Sequence, residues 1–185
     1  VFKGNVGPWG TGKRGHFHLT RNAASELLKQ AIDSYKAKHN QQPPKEVFVH
    51  GRVRFEDREW NGFLDAAGSE TNVVGIRITD ADDLRLYRES GSMPVMRGIA
   101  WTQNDRSGFL WTRGFTPRLQ TYPGKEVPCP LLVEISRGDA AIERVMQDVL
   151  ALTKLNYNSC RFADGVPVTL KFADAVGEVL VSGPT

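Results

Sequence analysis

Apolar residues recur at helical spacing in four stretches of the chain. The first, residues 22–38, ends before a pair of prolines, and the second is centred on Trp60. The third, residues 142–152, follows Asp139, a residue type whose side chain can cap a helix N-terminus. The fourth begins at Pro167, because proline is favoured at the start of a helix. The sequence therefore predicts four helices.

Short apolar or alternating runs between these helices have the pattern of β-strands. Residues 47–49 are a continuous apolar run, as in buried parallel strands. The other predicted strands cover residues 16–19, 73–78, 84–87 and 131–135, with a hairpin of residues 98–103 and 109–112. Strands alternating with helices predict an α/β fold with a mixed sheet covered by helices on both faces. Residues 1–185 contain no repeat or linker, so we expect no internal domain boundary.

Composition adds weak constraints on location and partners. The 185 residues, 40% of them hydrophobic, suffice for one sizeable core, and the net charge of +3 with a pI of about 9.0 permits a polyanionic partner without demanding one. No run approaches the roughly 18 apolar residues of a membrane helix, and the first residues lack the charged and apolar regions of a secretion signal. A cytoplasmic location without a membrane partner is therefore expected. The two cysteines are too few for a disulfide framework.

Three local motifs are weak candidates for chemistry. Residues 7–14 fit the G-x-x-x-x-G-K spacing of a phosphate-binding loop, but Arg14 replaces the hydroxyl that holds magnesium, and a strand follows instead of a helix. His16 and His18 lack a third metal ligand at suitable spacing, and we expect them at the surface. The acidic cluster between two predicted strands is expected to be a solvated turn; its members are Asp80, Asp82 and Asp83.

Three longer phrases carry a family resemblance. The first is the helix at residues 22–38 followed by PKEVFVHGR at residues 44–52. The second is FLWTRGFTPR at residues 109–118, followed by TYPG and VPCPL. The third is LTKLNYNS at residues 152–159 with PVTLKFAD at residues 167–174. In this order they resemble the C-terminal part of the Argonaute PIWI domain, in particular that of short prokaryotic Argonautes.

The resemblance implies an RNase H-like PIWI fold, of which this chain holds only a part. Cutting members of that fold gather three or four acids around two magnesium ions, which clamp the attacking and leaving oxygens. Here Gly51 stands where the family has an aspartate, and the helix that offers the glutamate begins with Thr20 and Arg21. Lys154 falls at or beside the last metal ligand, and an ammonium there repels a cation. The resemblance places the strand of the first acid before Val1. Because acids are missing at the other positions, a nuclease-dead domain with no catalytic residue, no metal ligand and no cofactor of its own is expected.

Eight residues are predicted to bind nucleic acid. Arg52 and Arg54 follow the C-terminal end of a strand, where open α/β sheets place ligands. Arg113 and Arg118 flank a glycine and a proline that stiffen their loop. The remaining four resemble the segment that faces the 5′ end of the guide in Argonautes, and they are Lys154, Asn156, Asn158 and Arg161. Contacts of this kind position a strand without reading its bases. Exposed surface charges and a helix C-terminal cap are the alternatives for these side chains.

The resemblance also implies partners. They are a guide RNA, a target DNA, the rest of the Argonaute with its MID domain and first PIWI strands, and an APAZ-containing effector protein. The effector of short Argonautes is a TIR or sirtuin-like NAD hydrolase, or a nuclease, and guided sensing of invading DNA activates it. Mg²⁺ at the guide 5′ phosphate belongs to the complete protein. Two alternatives remain open, namely part of a magnesium-dependent PIWI endonuclease and an RNase H-like interaction domain without nucleic acid.

Overall fold

The computed structural model of the chain describes residues 10–11, 17–122, 124–155 and 164–182. Its contacts divide the chain into two compact units, and we call Val1–Arg77 with Ile135–Asp139 unit 1, and Ile78–Glu134 with Ala140–Thr185 unit 2. The strands are β1 Gly10–Thr11, β2 Phe17–His18, β3 Glu46–Gly51, β4 Asn72–Asp80, β5 Ala100–Asn104, β6 Ser107–Leu110 and β7 Leu131–Arg137. The helices are α1 Arg21–Lys38, α2 Asp57–Ala67, α3 Ile142–Leu152 and α4 Val168–Ser182.

Five of the strands form a mixed sheet in the order β3-β4-β7-β6-β5. β3 and β4 are parallel, with Val47 opposite Val73, whereas β6 is antiparallel to both β5 and β7. The short strands β1 and β2 form a separate antiparallel pair. The mixed α/β sheet and the parallel strand at residues 47–49 are therefore confirmed, as is the hairpin, which turns at Asp105 and Arg106.

The core of unit 1 lies where α1 packs against α2. Thr20 caps α1, because its hydroxyl accepts a hydrogen bond from the Ala23 backbone nitrogen at 3.3 Å. The two helices approach closely at Gly62, where an added Cβ would lie 2.2 Å from the Arg21 carbonyl oxygen. The buried cluster of this unit is Ala24, Leu28, Ile32, Phe55, Trp60, Phe63 and Val73.

The core of unit 2 forms around α3, which packs against β5 and β6. One face of this helix is buried as its spacing predicted, namely Ile142, Val145, Met146 and Val149. The helix lies close over Gly108, where an added Cβ would be 2.9 Å from the Met146 sulfur. The carbonyl of Pro167 accepts the backbone N–H groups of Leu170 and Lys171, so α4 begins where the proline predicted.

Two predicted features are wrong. Residues 84–87 form no strand; the Leu84 backbone nitrogen instead donates to the Ala81 carbonyl in a turn. Asp139 does not cap α3, whose N-cap residue is Ala141. The reason is the turn at Gly138, which has a φ of 72° and leaves the Asp139 carbonyl as an acceptor for the Asn72 side chain at 3.2 Å. The helix therefore starts later than expected.

Other sequence expectations have mixed outcomes. Asp80, Asp82 and Asp83 are exposed, as expected for a solvated turn. Cys129 is partly buried, and Cys160 lies outside the described residues. Most of the candidate phosphate-binding loop at residues 7–14 also lies outside them. In the part of the chain that the structure describes, no helix is long and apolar enough to cross a membrane.

Candidate nucleic-acid interface

Arg52 and Arg54 lie in unit 1, directly after the C-terminal end of β3. Arg52 is half-buried and Arg54 is exposed. The parallel pairing of β3 with β4 places Gly51 opposite Arg77, so a third arginine lies beside the end of β3. Three arginines therefore lie at this edge of the strand pair, and Arg77 was not among the residues predicted from the sequence.

Arg137 ties the segment after β3 to β7. Its Nε and Nη2 atoms donate to the Phe55 carbonyl oxygen at 3.2 and 3.0 Å, and Nη2 also donates to the Asp57 carboxylate. Phe55 is anchored by its ring, which meets Phe63 edge to face at a centroid distance of 6.0 Å. Both contacts fix the segment that carries Arg52 and Arg54. Arg137 and its partner Asp57 are about 80 residues apart in the sequence.

The ring of Phe55 also closes the space beside Gly51. A Cβ added at Gly51 would lie 3.1 Å from Phe55 Cζ and 3.4 Å from the Val53 carbonyl oxygen. Contacts of this length are tighter than ordinary van der Waals contact, and Phe55 cannot move freely because it belongs to the buried cluster. The position at which the resemblance places an aspartate therefore has little room for a side chain.

Glu59 is a buried carboxylate in α2 whose bonds are all structural. Its Oε1 atom accepts from His18 Nδ1 at 2.8 Å and from the Glu56 backbone nitrogen at 3.0 Å, and its Oε2 atom accepts from the Leu19 nitrogen at 3.2 Å. His18 is only 8% exposed, so the surface position expected for it is wrong, and His16 lies outside the described residues. Among residues 17–122, 124–155 and 164–182, no three His, Cys, Asp or Glu side chains are grouped so as to hold a metal ion.

Arg113 lies in unit 2, in the loop after β6, where two glycines shape its surroundings. Gly114 has a φ of 148°, and an added Cβ there would lie 2.3 Å from the Val95 carbonyl oxygen. At Gly165 an added Cβ would lie 2.0 Å from Arg113 Nε, so the guanidinium stem passes directly over this glycine. Arg113 is nevertheless exposed at the surface, and Arg118, in the 3₁₀ turn Pro117–Leu119, is exposed as well.

Lys154 is exposed just past the end of α3, beside the fully buried Thr153. The Thr153 hydroxyl donates to the Leu150 carbonyl at 2.6 Å and receives a hydrogen bond from Arg97, whose guanidinium also reaches that carbonyl at 3.4 Å. The Thr153 carbonyl accepts the Asp164 backbone nitrogen at 2.8 Å. Residues 153 and 164 are thereby held close together. The predicted residues between them, Asn156, Asn158 and Arg161, lie outside the described residues.

Two hydrogen bonds connect the Arg113 loop to the end of α3. The Thr112 hydroxyl donates to the Gly165 carbonyl at 2.6 Å, and the adjoining Asp164 is bonded to Thr153. The structure thus brings the segments of Arg113 and Lys154 together, and Thr112, Asp164 and Arg97 are the connecting residues that sequence reasoning missed. The Asp-Gly pair at residues 164–165 was the available signal, because such pairs mark turns.

The electrostatics of this network favour an ionised Asp164. Burial raises the pKa of Asp164, but bonds from Lys171 and from the Val166 and Gly165 nitrogens outweigh burial, and the pKa lies below its ordinary value. Burial lowers the pKa of the Arg97 guanidinium. An arginine remains charged despite such a shift, so Arg97 is a half-buried cation at the C-terminal end of α3, where the helix dipole is favourable to it.

No family model and no curated protein matches the chain. Solved structures do match. Clostridium butyricum Argonaute, bound to a guide DNA and a 19-mer target DNA, is 18% identical with a TM-score of 0.69, and the match covers 90% of this chain and 21% of that one. A. aeolicus Argonaute is 19% identical with a TM-score of 0.59, over 87% of this chain and 23% of the other. Marinitoga piezophila Argonaute with a 5′ OH guide RNA is 15% identical with a TM-score of 0.61, and the match covers 82% of this chain and 21% of that one.

The chain therefore spans about a fifth of the length of the Argonautes that it matches. At these identities the likeness concerns the fold, and it extends over most of the chain. The mixed five-stranded sheet with its helices, together with these matches, gives the chain an Argonaute-like PIWI fold.

Proposed function

We propose that this chain is the part of an Argonaute-type protein that holds a guide strand paired to a target strand. The observation that carries the proposal is the shared fold over 90% of the chain with an Argonaute solved with both a guide and a target strand. A common fold does not by itself establish a common function, so the proposal also needs side chains that suit a phosphate backbone.

Each unit offers exposed or half-buried cations on a fixed backbone. In unit 1, Arg52 and Arg54 follow β3 on a segment that Arg137 anchors. In unit 2, Arg113 and Lys154 lie on the two segments joined through Asp164 and Gly165. Guanidinium and ammonium groups bond phosphate oxygens well, and rigid placement lowers the entropy lost on binding. Such contacts would fix the position of a strand while base pairing supplies the sequence specificity.

We further propose that the chain binds without cutting. Gly51 in the place of the aspartate, with the Phe55 ring beside it, supports this proposal. Glu59, the one strongly buried carboxylate among the described residues of unit 1, is bonded to His18 and to backbone nitrogens. Lys154 would place a positive charge where the resemblance puts a metal ligand, and the resulting repulsion opposes a two-metal centre.

The resemblance to short prokaryotic Argonautes extends the proposal to the complete assembly. An RNA guide, a DNA target and an APAZ-containing effector with TIR, sirtuin-like or nuclease activity would act with this chain in immunity against invading DNA. On this proposal the chemistry belongs to the effector, and the pairing of guide with target changes the conformation that switches the effector on.

The test uses the complete natural protein with its partners. Bound nucleic acid is extracted and end-labelled, and the complex is incubated with a complementary target and Mg²⁺ or Mn²⁺. Short bound guides with an uncut target are the expected result. A cut target would establish the endonuclease alternative instead, and a well-folded complex without any bound strand would refute guided binding and leave an interaction domain.

Substituting one arginine and measuring guide affinity at several salt concentrations makes the test quantitative. R113Q removes one predicted phosphate contact, so guide affinity should fall and the slope of log affinity against log salt should become shallower by about 0.7 for a single strand. R144Q, in an exposed part of α3 outside the proposed interface, is the matched control and should leave the slope unchanged. Equal slopes for R113Q and the unaltered protein would remove Arg113 from the interface.

A further inference from the structure

A surface pocket in unit 2 is lined by none of the residues predicted to bind nucleic acid. Its volume is about 410 Å³, and it is lined by residues 86–88 and 91–94 on one segment and by residues 122 and 124–127 on another. This volume is within the range of about 300–1,000 Å³ that small-molecule sites occupy. The side chains that matter to its chemistry are Leu86, Tyr87, Arg88, Met93, Tyr122 and Lys125.

The outer wall of the pocket exposes apolar and aromatic surface. Tyr87 is 71% exposed, and Leu86 and Met93 are 40% and 39% exposed. An aromatic ring held open to solvent beside apolar side chains can stack against a planar ligand. Nucleobases are such ligands, because every base has a π-face that an aromatic side chain can cover.

Tyr122 also lines the pocket and is half-buried. Its hydroxyl donates to the Glu126 carbonyl oxygen at 2.6 Å, and an added Cβ at Gly124 would lie 2.1 Å from that hydroxyl, so this arrangement requires glycine at residue 124. Burial raises the pKa of Tyr122, while the nearby positive charge of Arg113 acts in the opposite direction. The pocket is therefore close to an arginine that we propose contacts phosphate.

The charge at the pocket is suited to an anionic ligand. Arg88 and Lys125 line it together with a single acidic residue, Glu126. Gly91, with a φ of 94°, reverses the chain so that the Arg88 guanidinium lies near the turn, where an added Cβ would be 3.8 Å from Arg88 Nη2. Two cations beside an exposed tyrosine match a phosphate linked to a base better than they match an uncharged peptide.

We propose that this pocket receives one unpaired nucleotide of the bound strand, with the base stacked on Tyr87 and its phosphate beside Arg88 and Lys125. The proposal rests on the proposed function and adds a site to it. A base inside a duplex has both faces covered by its neighbours, so only an unpaired or extruded base can stack on the ring. The occupant therefore belongs to an unpaired position of the guide or of the target.

The experiment places the fluorescent base 2-aminopurine at successive positions of the guide, and then of the target, in the complete guide-loaded protein. Stacking quenches this base, whether on a neighbouring base or on a tyrosine ring, so the expected result is one position whose fluorescence rises in Y87A but not in Y87F. Y87A should also weaken binding of that strand by about 5- to 150-fold, the effect of losing one stacked base. Y35A, at a partly exposed tyrosine of α1 in unit 1, is the control and should change neither signal.

A second variant tests the charged part of the pocket. R88Q combined with K125Q should reduce the salt slope for the same strand by about 0.7, because the contact with one phosphate is lost. Whether the responding position lies in the guide or in the target identifies the strand that enters the pocket.

The outcomes separate this proposal from the proposed function. If the protein holds a guide and target but no position responds to Y87A, the pocket is not a nucleotide site, and guided binding stands. If Y87A releases a co-purifying protein without altering either strand, the pocket docks a peptide and the nucleotide proposal is wrong. If the unaltered protein binds no strand at all, both proposals fail.

Discussion

Replacing Gly62 with alanine tests how closely α1 and α2 approach. Gly62 lies in α2, and an alanine Cβ would be 2.2 Å from the Arg21 carbonyl oxygen and 2.9 Å from the Ala24 Cβ. Both distances are far below ordinary contact, and the first atom is backbone, which cannot rotate away. G62A therefore requires the two helices to separate or to deform.

The magnitude follows from two opposing effects. Overpacking a well-packed contact costs about 1–3 kcal/mol, whereas alanine in a helix interior is more favourable than glycine by about 1 kcal/mol. Because the clash is with backbone on a neighbouring helix, we place the overpacking cost at the upper end of its range. The expected net loss in the free energy of local unfolding is about 1–2 kcal/mol, which corresponds to about a 5- to 30-fold larger open population.

Hydrogen exchange measured on the complete protein is the suitable assay, since it reports each helix separately. Amides of α1 and α2 should exchange about 5- to 30-fold faster in G62A, while those of α4 keep their rates. G177A is the control, because an added Cβ at Gly177 in α4 meets nothing within 4 Å, and only the favourable alanine propensity remains. Slower exchange of α1 and α2 in G62A would show that the helices do not approach as described.

Three further predictions concern the network that carries Arg113. T112V removes the buried hydrogen bond to the Gly165 carbonyl, and a buried carbonyl left unpaired costs about 1–2 kcal/mol. The amides of residues 164–166 should therefore exchange about 5- to 30-fold faster, and unchanged exchange would contradict that hydrogen bond. The pKa of Asp164 is lowered, so the stabilisation by its carboxylate is present above the ordinary pKa and is lost as the pH falls through the lowered value. Hydrogen exchange between pH 5 and pH 2 should show this acid-dependent loss of protection in the unaltered protein, and D164N should abolish it. K171M removes the cation that pairs with Asp164, so the pKa of that carboxyl should rise towards its ordinary value, and a carboxyl titration followed by NMR that shows no rise would exclude the ion pair.

Local patterns predicted most of the helices and strands, because the spacing of apolar residues within a segment indicates its secondary structure without reference to other segments. The start of α1 shows this, since Thr20 and the apolar spacing after it define the cap and the buried face without reference to any other segment. The strand expected at residues 84–87 shows the limit. Its alternating side chains fit a strand, but a strand also needs a partner, and the Leu84 nitrogen is bonded instead to the Ala81 carbonyl in a local turn.

The candidate site was predictable only in part for the same reason. The sequence identifies cationic side chains such as Arg113, but it does not show which distant segments fix the loop that carries each of them. The bonds from Thr112 to Gly165 and from Asp164 to Thr153 join residues that are distant in the chain. His18 was misplaced because its partner Glu59 is 41 residues away. Phosphate contact by Arg52, Arg54, Arg113, Arg118 and Lys154 stays a prediction.

The contact between Gly51 and Phe55 has an evolutionary consequence. A single codon change could put an aspartate at residue 51, but its Cβ would press on a ring that is packed against Trp60 and Phe63. Shrinking that ring first would open a cavity in the buried cluster and cost about 3–5 kcal/mol, so neither order of substitutions is free of a destabilised intermediate. Substitutions at these two positions are therefore expected to be epistatic, because an acidic side chain at residue 51 is better tolerated once the side chain at residue 55 is smaller.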